Sequence, residues 1–246
     1  MNDIYSIPEF YDLYHHWKTN DIEFILKWAK IAGDPILELA AGTGRLAIPL
    51  IKQGHNYTGL DTSKDFVDWA QKKIRKLDNQ NKIVLGDMRD FSLSEKFNFV
   101  FIGFNSILHL LNEADIIRCF KCASAHLNKN GKFLIDVFIP QPEFLYRDPN
   151  QLYDVGSYIN TVGKLVIVKE KNKFDSDTDI NHISWYLFKE DDLEPEKYEF
   201  DMHILYPDTL DRLLTEAGFK IEQKFGDHNE SKFNPDSDLQ IYVSCK

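Results

Sequence analysis

The chain has 246 residues, 43% of them hydrophobic and 13% aromatic, and a formal net charge of −10. That size suits one large α/β domain with a smaller appended element, and the acidity argues against a nucleic-acid backbone as partner. No apolar run reaches the roughly 20 residues of a membrane span, Met1 to Pro8 lacks the basic-then-apolar order of a secretory leader, and Cys119, Cys122 and Cys245 make no disulfide framework, so a reduced cytoplasmic enzyme is expected.

In chain order, residues 1–18 are rich in rings: Tyr5, Phe10, Tyr11, Tyr14, His15, His16 and Trp17. They read as a lid or as an edge helix on the core. Asp21 to Ala32 has helical spacing, and Gly33-Asp34-Pro35 ends it. Ile36 to Ala40 reads as a first strand, and Gly42-Thr43-Gly44 turns it into a helix stopped by Gly54. Asn56 to Leu60 is a second strand ending at Asp61, followed by a helix from Thr62 or Ser63 to about Leu77. Lys82 to Leu85 and Phe97 to Gly103 are the third and fourth strands, Asn112 to Leu127 a helix, and Lys132 to Phe138 a fifth strand. Alternation of this kind predicts a doubly wound, mostly parallel α/β sheet of seven strands with helices on both faces and the last strand antiparallel.

Between residues 141 and 204 the rhythm changes. Leu165 to Lys173, Ile180 to Lys189 and Tyr198 to Tyr206 read as antiparallel strands of an insertion or cap, and Glu190 to Glu194 as a solvated turn. The helix opened by Pro207 and two final strands, Phe219 to Lys224 and Leu239 to Cys245, rejoin the sheet. The expected division is therefore 1–140 with 205–246 as a nucleotide-binding domain of Rossmann type and 141–204 as an antiparallel β cap over an acceptor site.

Ligands of such sheets sit beyond the carboxyl ends of the strands. Ala40 to Gly44, Asp61, Asp87, Phe104 to Ser106 and Asp136 to Phe138 all fall on that rim. Gly42-Thr43-Gly44-Arg45-Leu46-Ala47 also fits the dinucleotide pattern G-x-G-x-x-A, so the turn alone does not separate a nicotinamide cofactor from an adenosyl one.

The ordered set does more. Glu38-Leu39-Ala40-Ala41-Gly42-Thr43-Gly44, then Gly59-Leu60-Asp61-Thr62-Ser63, then Leu85-Gly86-Asp87-Met88-Arg89-Asp90-Phe91, resembles the class I S-adenosylmethionine-dependent methyltransferases. Phe104 to Leu111, Phe133 to Phe138 and Leu214 to Phe219 resemble later motifs of small bacterial members. The resemblance covers about 10–140 and 205–246 and departs from the common pattern in having Ala40-Ala41 before the glycines. It implies S-adenosylmethionine as cofactor, Asp61 on the ribose hydroxyls, Asp87 on the adenine amine, Met88 on the ring, and the backbone of Ala40 and Gly42 at the methionine amino group. Gly44, Thr62, Phe104 and Asn105 join the cofactor set; Glu38 orders the loop from below. Tyr11 and Tyr14 are placed over the methionine end, with core packing the competing reading.

A sulfonium and an ammonium suit a rim of carboxylates and rings. Catalytic candidates are His109, just after the fourth strand, and Asp136, an acid inside an apolar strand that needs a partner. Cys119-Phe120-Lys121-Cys122 lies mid-helix without a second pair, and no metal site is expected. The function read from the sequence is methyl transfer by in-line displacement to a nitrogen or oxygen of a small-molecule acceptor, by a monomer or homodimer. The open alternatives are a nicotinamide-dependent oxidoreductase and a non-catalytic cofactor-binding protein.

Overall fold

The two runs of strand patterning become two sheets. The computed structural model describes residues 3–78, 80–190 and 192–246; Met1, Asn2, Asn79 and Asp191 lie outside the described residues, and with them the start of the expected N-terminal segment and one residue of the expected acidic turn. The first sheet has seven strands. β1 (Ile36–Leu39) is buried along its whole length and lies between β4 (Phe97–Ile102) and β2 (Tyr57–Asp61). Beyond β2 lies β3 (Lys82–Leu85); beyond β4 lies β5 (Leu127–Phe138). These five run parallel. At the far edge β11 (Leu239–Cys245) pairs antiparallel with β5 and with β10 (Lys220–Phe225).

Helices cover both faces because the strand pleat sends alternate apolar side chains to opposite sides. Leu37 and Leu39 of β1 join a cluster with Phe120 and Ala123 of α5 (Glu113–His126) and Leu210 and Leu213 of α7 (Pro207–Glu216). Ile36 joins the opposite cluster, with Phe24 and Trp28 of α2 (Ile22–Ala32), Leu50 of α3 (Ala47–Lys52), and Ala70 and Ile74 of α4 (Lys64–Ile74). Cys119 is buried on α5, Cys122 hydrogen-bonds the main chain of Phe91, and both are free thiols.

The second sheet is antiparallel, in the order β6 (Tyr153–Ile159), β7 (Leu165–Asp175), β8 (Ile180–Lys189), β9 (Glu196–His203). Its inner face, through Val166, Val168, Leu187 and Tyr198, packs on Ile4 and on Phe10 and Tyr14 of α1 (Pro8–Tyr14). The N-terminal segment thus shares its core with this sheet.

Three elements differ from the sequence reading. β6 is an added edge strand; only Tyr158 in it is buried and a bulge falls at Gly156, so no alternation marks it. β5 begins at Leu127, not Lys132: Leu127 pairs with Phe97 and Lys132 with Phe99, so residues 128–131 bulge out of the ladder. The four-residue helix α6 (Pro142–Leu145) opens a segment in which only strands and a turn were expected.

Gly59 of β2 shows how tightly the sheet centre is packed: a Cβ there would lie 2.6 Å from the Tyr57 hydroxyl, 2.7 Å from Ile83 and 2.8 Å from the Cβ of Ala41. Gly59→Ala is expected to destabilise the fold by about 2 kcal/mol, read from the midpoint of urea denaturation.

Candidate functional site

The chain runs from β1 outward to β3 and then returns to the other side of β1 with β4. The crevice between the ends of β1 and β4 is the switch point of the sheet, where such folds bind ligands. A cavity of about 510 Å³ opens there. Its floor comes from the strand ends: Ala40 and Gly42, Leu60 to Ser63, Gly86 to Arg89, and Phe104 to Ser106 with His109. Its roof comes from Asp3 to Tyr5, Tyr11, His15, and Trp185, Phe200 and Met202 of the second sheet.

Asp61 ties two strand ends together. One carboxylate oxygen accepts the N–H of Gly42 at 2.7 Å, the other that of Ser63 at 2.8 Å. Gly42 can offer its N–H there because it takes φ +57. Burial raises the Asp61 pKa, opposed by these backbone donors. Ser63 caps α4 by accepting the N–H of Phe66 and donates its hydroxyl to the Tyr5 carbonyl at 2.6 Å. Ala40, Phe104 and Asn105 hold positive φ of 57, 50 and 63, a conformation that costs a side-chain-bearing residue energy and clusters at functional sites. Asn105 is held by its N–H on the Asp136 carbonyl, 3.1 Å, and by accepting the Phe138 N–H, 2.7 Å.

Asp87 is gripped by Arg89, whose Nη2 is 2.6 Å away and whose Nη1 reaches Asp115 at 2.8 Å. The Arg89 hydrogen bonds hold the Asp87 carboxyl below its usual range. Both Asp87 oxygens also accept from Arg89 Nε at 3.0 Å, and one accepts the Arg89 backbone N–H at 2.8 Å, so a ligand donor in the cavity would share these acceptors with Arg89. Arg89 is the one lysine or arginine among the described lining residues, and it is neutralised. Burial lowers His15 to about 4, with Arg45 adding to the effect, and burial also lowers His109. Both rings therefore stand neutral in a cavity whose fixed charges are acidic.

Of the residues singled out in the sequence, Tyr11, Ala40, Gly42, Asp61, Thr62, Asp87, Met88, Phe104, Asn105 and His109 surround this one cavity. Four do not line it. Tyr14 stacks on Phe10 and donates its hydroxyl to the Val155 carbonyl, so it belongs to the core under the second sheet. Glu38 lies beneath the turn, accepting the Tyr57 hydroxyl at 2.5 Å; burial pushes it up to about 8, against that hydrogen bond and the charge of Arg45. Gly44 faces α4, where a Cβ would meet Ala70 at 3.3 Å. Asp136 shares the Leu134 face of β5, opposite Ile135 and Val137, and the pleat turns it away from the cavity. Its carboxylate lies 2.9 Å from His228 Nε2 on the loop between β10 and β11.

Asp21, next to this pair, is clamped by both Arg45 terminal nitrogens at 2.7 Å. Burial would raise Asp21, but Arg45 and Lys18 hold it below the usual range. Arg45 also donates to the Lys18 carbonyl and so fastens the glycine turn to the segment before α2. Tyr5, His15, Arg89, Trp185, Phe200 and Met202 also line the cavity: Tyr5 and His15 lie in the ring-rich segment read as a lid, Arg89 in the Leu85 to Phe91 motif, and Trp185, Phe200 and Met202 in strands read as a cap, but no pattern assigned any of them to the cofactor or catalytic set.

Residues 36–131 match a family described as a methyltransferase domain. Over 139 residues the chain is 28% identical to a dTDP-3-amino-3,6-dideoxy-alpha-D-glucopyranose N,N-dimethyltransferase of Streptomyces fradiae, covering 53% of this chain and 52% of that one. Over 116 residues it is 36% identical to a demethylmenaquinone methyltransferase of Lactobacillus johnsonii, covering 45% and 46%. The chain thus spans about half the length of these curated relatives. The solved structure of the CcbJ methyltransferase from Streptomyces caelestis shares the fold over 100% of this chain and 99% of its own, with a TM-score of 0.85 at 22% identity. No helix among the described residues is long and apolar enough to cross a membrane.

Two substitutions test the support beneath the cavity. Arg45→Ala removes the bidentate partner of the buried Asp21 carboxylate and leaves it Lys18 at 3.8 Å, and is expected to cost about 3 kcal/mol in urea denaturation. Glu38, raised from 4.5 to about 8 in the fold, contributes stability that is complete below 4.5 and lost as pH rises through about 8. Wild type should therefore lose stability relative to Glu38→Gln across that window, measured by denaturation at a series of pH values.

Proposed function

We propose, from a chain whose segment 36–131 belongs to the class I S-adenosylmethionine-dependent methyltransferases, that the protein methylates a basic nitrogen on a small molecule by in-line displacement. The carrying observation is the cavity at the switch point, with Asp3, Asp61 and Asp87 in its wall, aromatic faces opposite, and no unpaired lysine or arginine among the described lining residues. Such a wall favours a sulfonium and an arriving ammonium and disfavours the pyrophosphate of a nicotinamide cofactor. The relatives' names differ in acceptor, an amino sugar in one and demethylmenaquinone in the other. The preference for nitrogen therefore rests on cavity charge and on the amino-sugar relative.

Bound S-adenosylmethionine would supply an electrophilic methyl group on a sulfonium. In this reading Asp61 holds the ribose hydroxyls. The left-handed turns at Ala40 and Gly42 leave backbone groups free for the methionine end, while Tyr11 and Phe104 flank it. Asp87 takes the adenine amine and Met88 packs on the ring. The Asp61 carboxylate suits the ribose because it faces the cavity with two backbone donors already seated and acceptor sites left over. Asp136 acts as a support of Asn105 and not as a group that touches the acceptor. Residues 1–140 with 205–246 would carry the cofactor and 141–204 would cap the acceptor, with Trp185, Phe200 and Met202 lining its end of the cavity. Alignment and exclusion of water supply most of the acceleration of such a displacement.

Calorimetry should detect S-adenosylmethionine and S-adenosylhomocysteine but not NAD. Asp61→Ala should weaken both by about 100-fold or more, the scale of two lost charge-assisted hydrogen bonds. Far-UV circular dichroism should confirm that the sheet persists, and Asp61→Asn should fall between. Release of S-adenosylhomocysteine across amine, hydroxyl and carboxylate acceptors then identifies the substrate. Tight binding by Asp61→Ala would remove the ribose assignment; binding without turnover of any acceptor would favour a sensor on the same scaffold.

A further inference from the structure

An amine of ordinary basicity arrives protonated, and its lone pair is free to attack only after that proton has gone. His109 is the neutral base at the acceptor end, but it is not bare. Its Nε2 lies 2.8 Å from the Tyr5 hydroxyl, and the two rings meet edge-on with centroids 5.3 Å apart. The main chain of Asp201 on β9 faces the imidazole and raises its proton affinity. With Nε2 on Tyr5, Nδ1 is the nitrogen left to meet it, and opposite a main-chain carbonyl Nδ1 would carry the hydrogen and Nε2 present its lone pair. Tyr5 must then donate its O–H to Nε2, which leaves the phenolic oxygen free to accept from the cavity it lines.

Resting on the methyltransferase reading above, we propose that Tyr5 is a catalytic residue: its oxygen takes the proton of the acceptor amine while its own proton passes to His109. The N–H bond of the ammonium breaks with its pair left on nitrogen, and the proton bonds to the Tyr5 oxygen. The original Tyr5 O–H breaks with its pair left on oxygen, and that proton bonds to His109 Nε2. Tyr5 ends neutral, the amine ends neutral, and His109 holds the charge with Nδ1–H on the Asp201 carbonyl. The proton returns to water by the same two groups once product leaves. His109 is then a positioning and accepting partner that acts through Tyr5.

Charge around the pair supports this direction. Asp3 and Tyr11 face it from the N-terminal segment and α1, and Asp61 faces it from the end of β2, while Phe66 of α4 and Phe200 of β9 present apolar rings. Asp3 and Asp61 raise the proton affinity of the Tyr5 oxygen, the first acceptor of the relay. Burial keeps the Tyr5 phenol well above its usual pKa, so it relays a proton instead of standing as phenolate. Seating is coupled to the cofactor site: the Tyr5 carbonyl accepts the Ser63 hydroxyl, and the Ser63 N–H donates to Asp61. The loop that holds the ribose carboxylate also fixes the proton acceptor.

The test starts from histidine-labelled protein by ¹⁵N NMR, with and without S-adenosylhomocysteine, His109 being assigned by its loss in His109→Gln. A neutral ring with hydrogen on Nδ1 is expected, with an Nε2 resonance that moves downfield in Tyr5→Phe as the hydrogen bond is removed. Hydrogen on Nε2, or an Nε2 resonance indifferent to Tyr5→Phe, overturns the relay. In kinetics with the amine found by the acceptor screen, Tyr5→Phe and His109→Gln should each lower kcat about 100-fold below that amine's pKa. The deficit should fade above it, with KM for S-adenosylmethionine unchanged. An equal deficit at every pH means a structural role and overturns the proposal. Failure to bind S-adenosylhomocysteine would instead remove the methyltransferase reading, which the tautomer measurement does not depend on.

Discussion

The carboxylate of Asp61 is the junction on which the site depends. It joins the ends of β1 and β2 by accepting from Gly42 and Ser63, and through Ser63 it reaches the N-terminal segment at Tyr5. Both oxygens are seated on backbone N–H groups, which bond a carboxylate about as strongly as any neutral donor can. A position with one rotamer and fixed donors is what a ligand-binding acid requires, since the cost of ordering it is met in folding and not in binding.

Beneath this junction lies a second layer of charge. Arg45 follows the glycine turn and is pinned to Asp21 and the Lys18 carbonyl, while Glu38 and Tyr57 fill the space below. Asp136 and His228 continue the layer toward the last hairpin. None of these side chains lines the cavity; Arg45 ties the glycine turn to the segment before α2, and Glu38 packs beneath that turn against Tyr57. The turn thereby becomes rigid enough to hold Ala40 and Gly42 at positive φ.

The roof is built on different physics. Its aromatic side chains come from the N-terminal segment and from β8 and β9, which share one apolar cluster. Few hydrogen bonds tie roof to floor; Tyr5 to Ser63 and Tyr5 to His109 are two of them. In the proposed reading, selectivity for the acceptor would rest mostly on ring shapes and on the absence of free cations among the described lining residues, and loading of the cofactor on fixed polar groups.

Local pattern was enough for the parallel sheet, its flanking helices and the acids at the ends of β2 and β3, because strand period, glycine turns and the switch-point rule are all short-range signals. The same signals put Asp61, Asp87 and Gly42 on one rim. Which side of a strand a residue faces near its end was not legible: Asp136 lies one pleat step from the cavity side, and Tyr14 one helical turn from Tyr11 yet in another core. β6 escaped notice because an edge strand with a bulge carries little alternation. The pairing of Tyr5 with His109 spans 104 positions and has no sequence period at all. Only tertiary packing, by laying the N-terminal segment across the second sheet and over the strand ends, brings this phenol and this imidazole to one place.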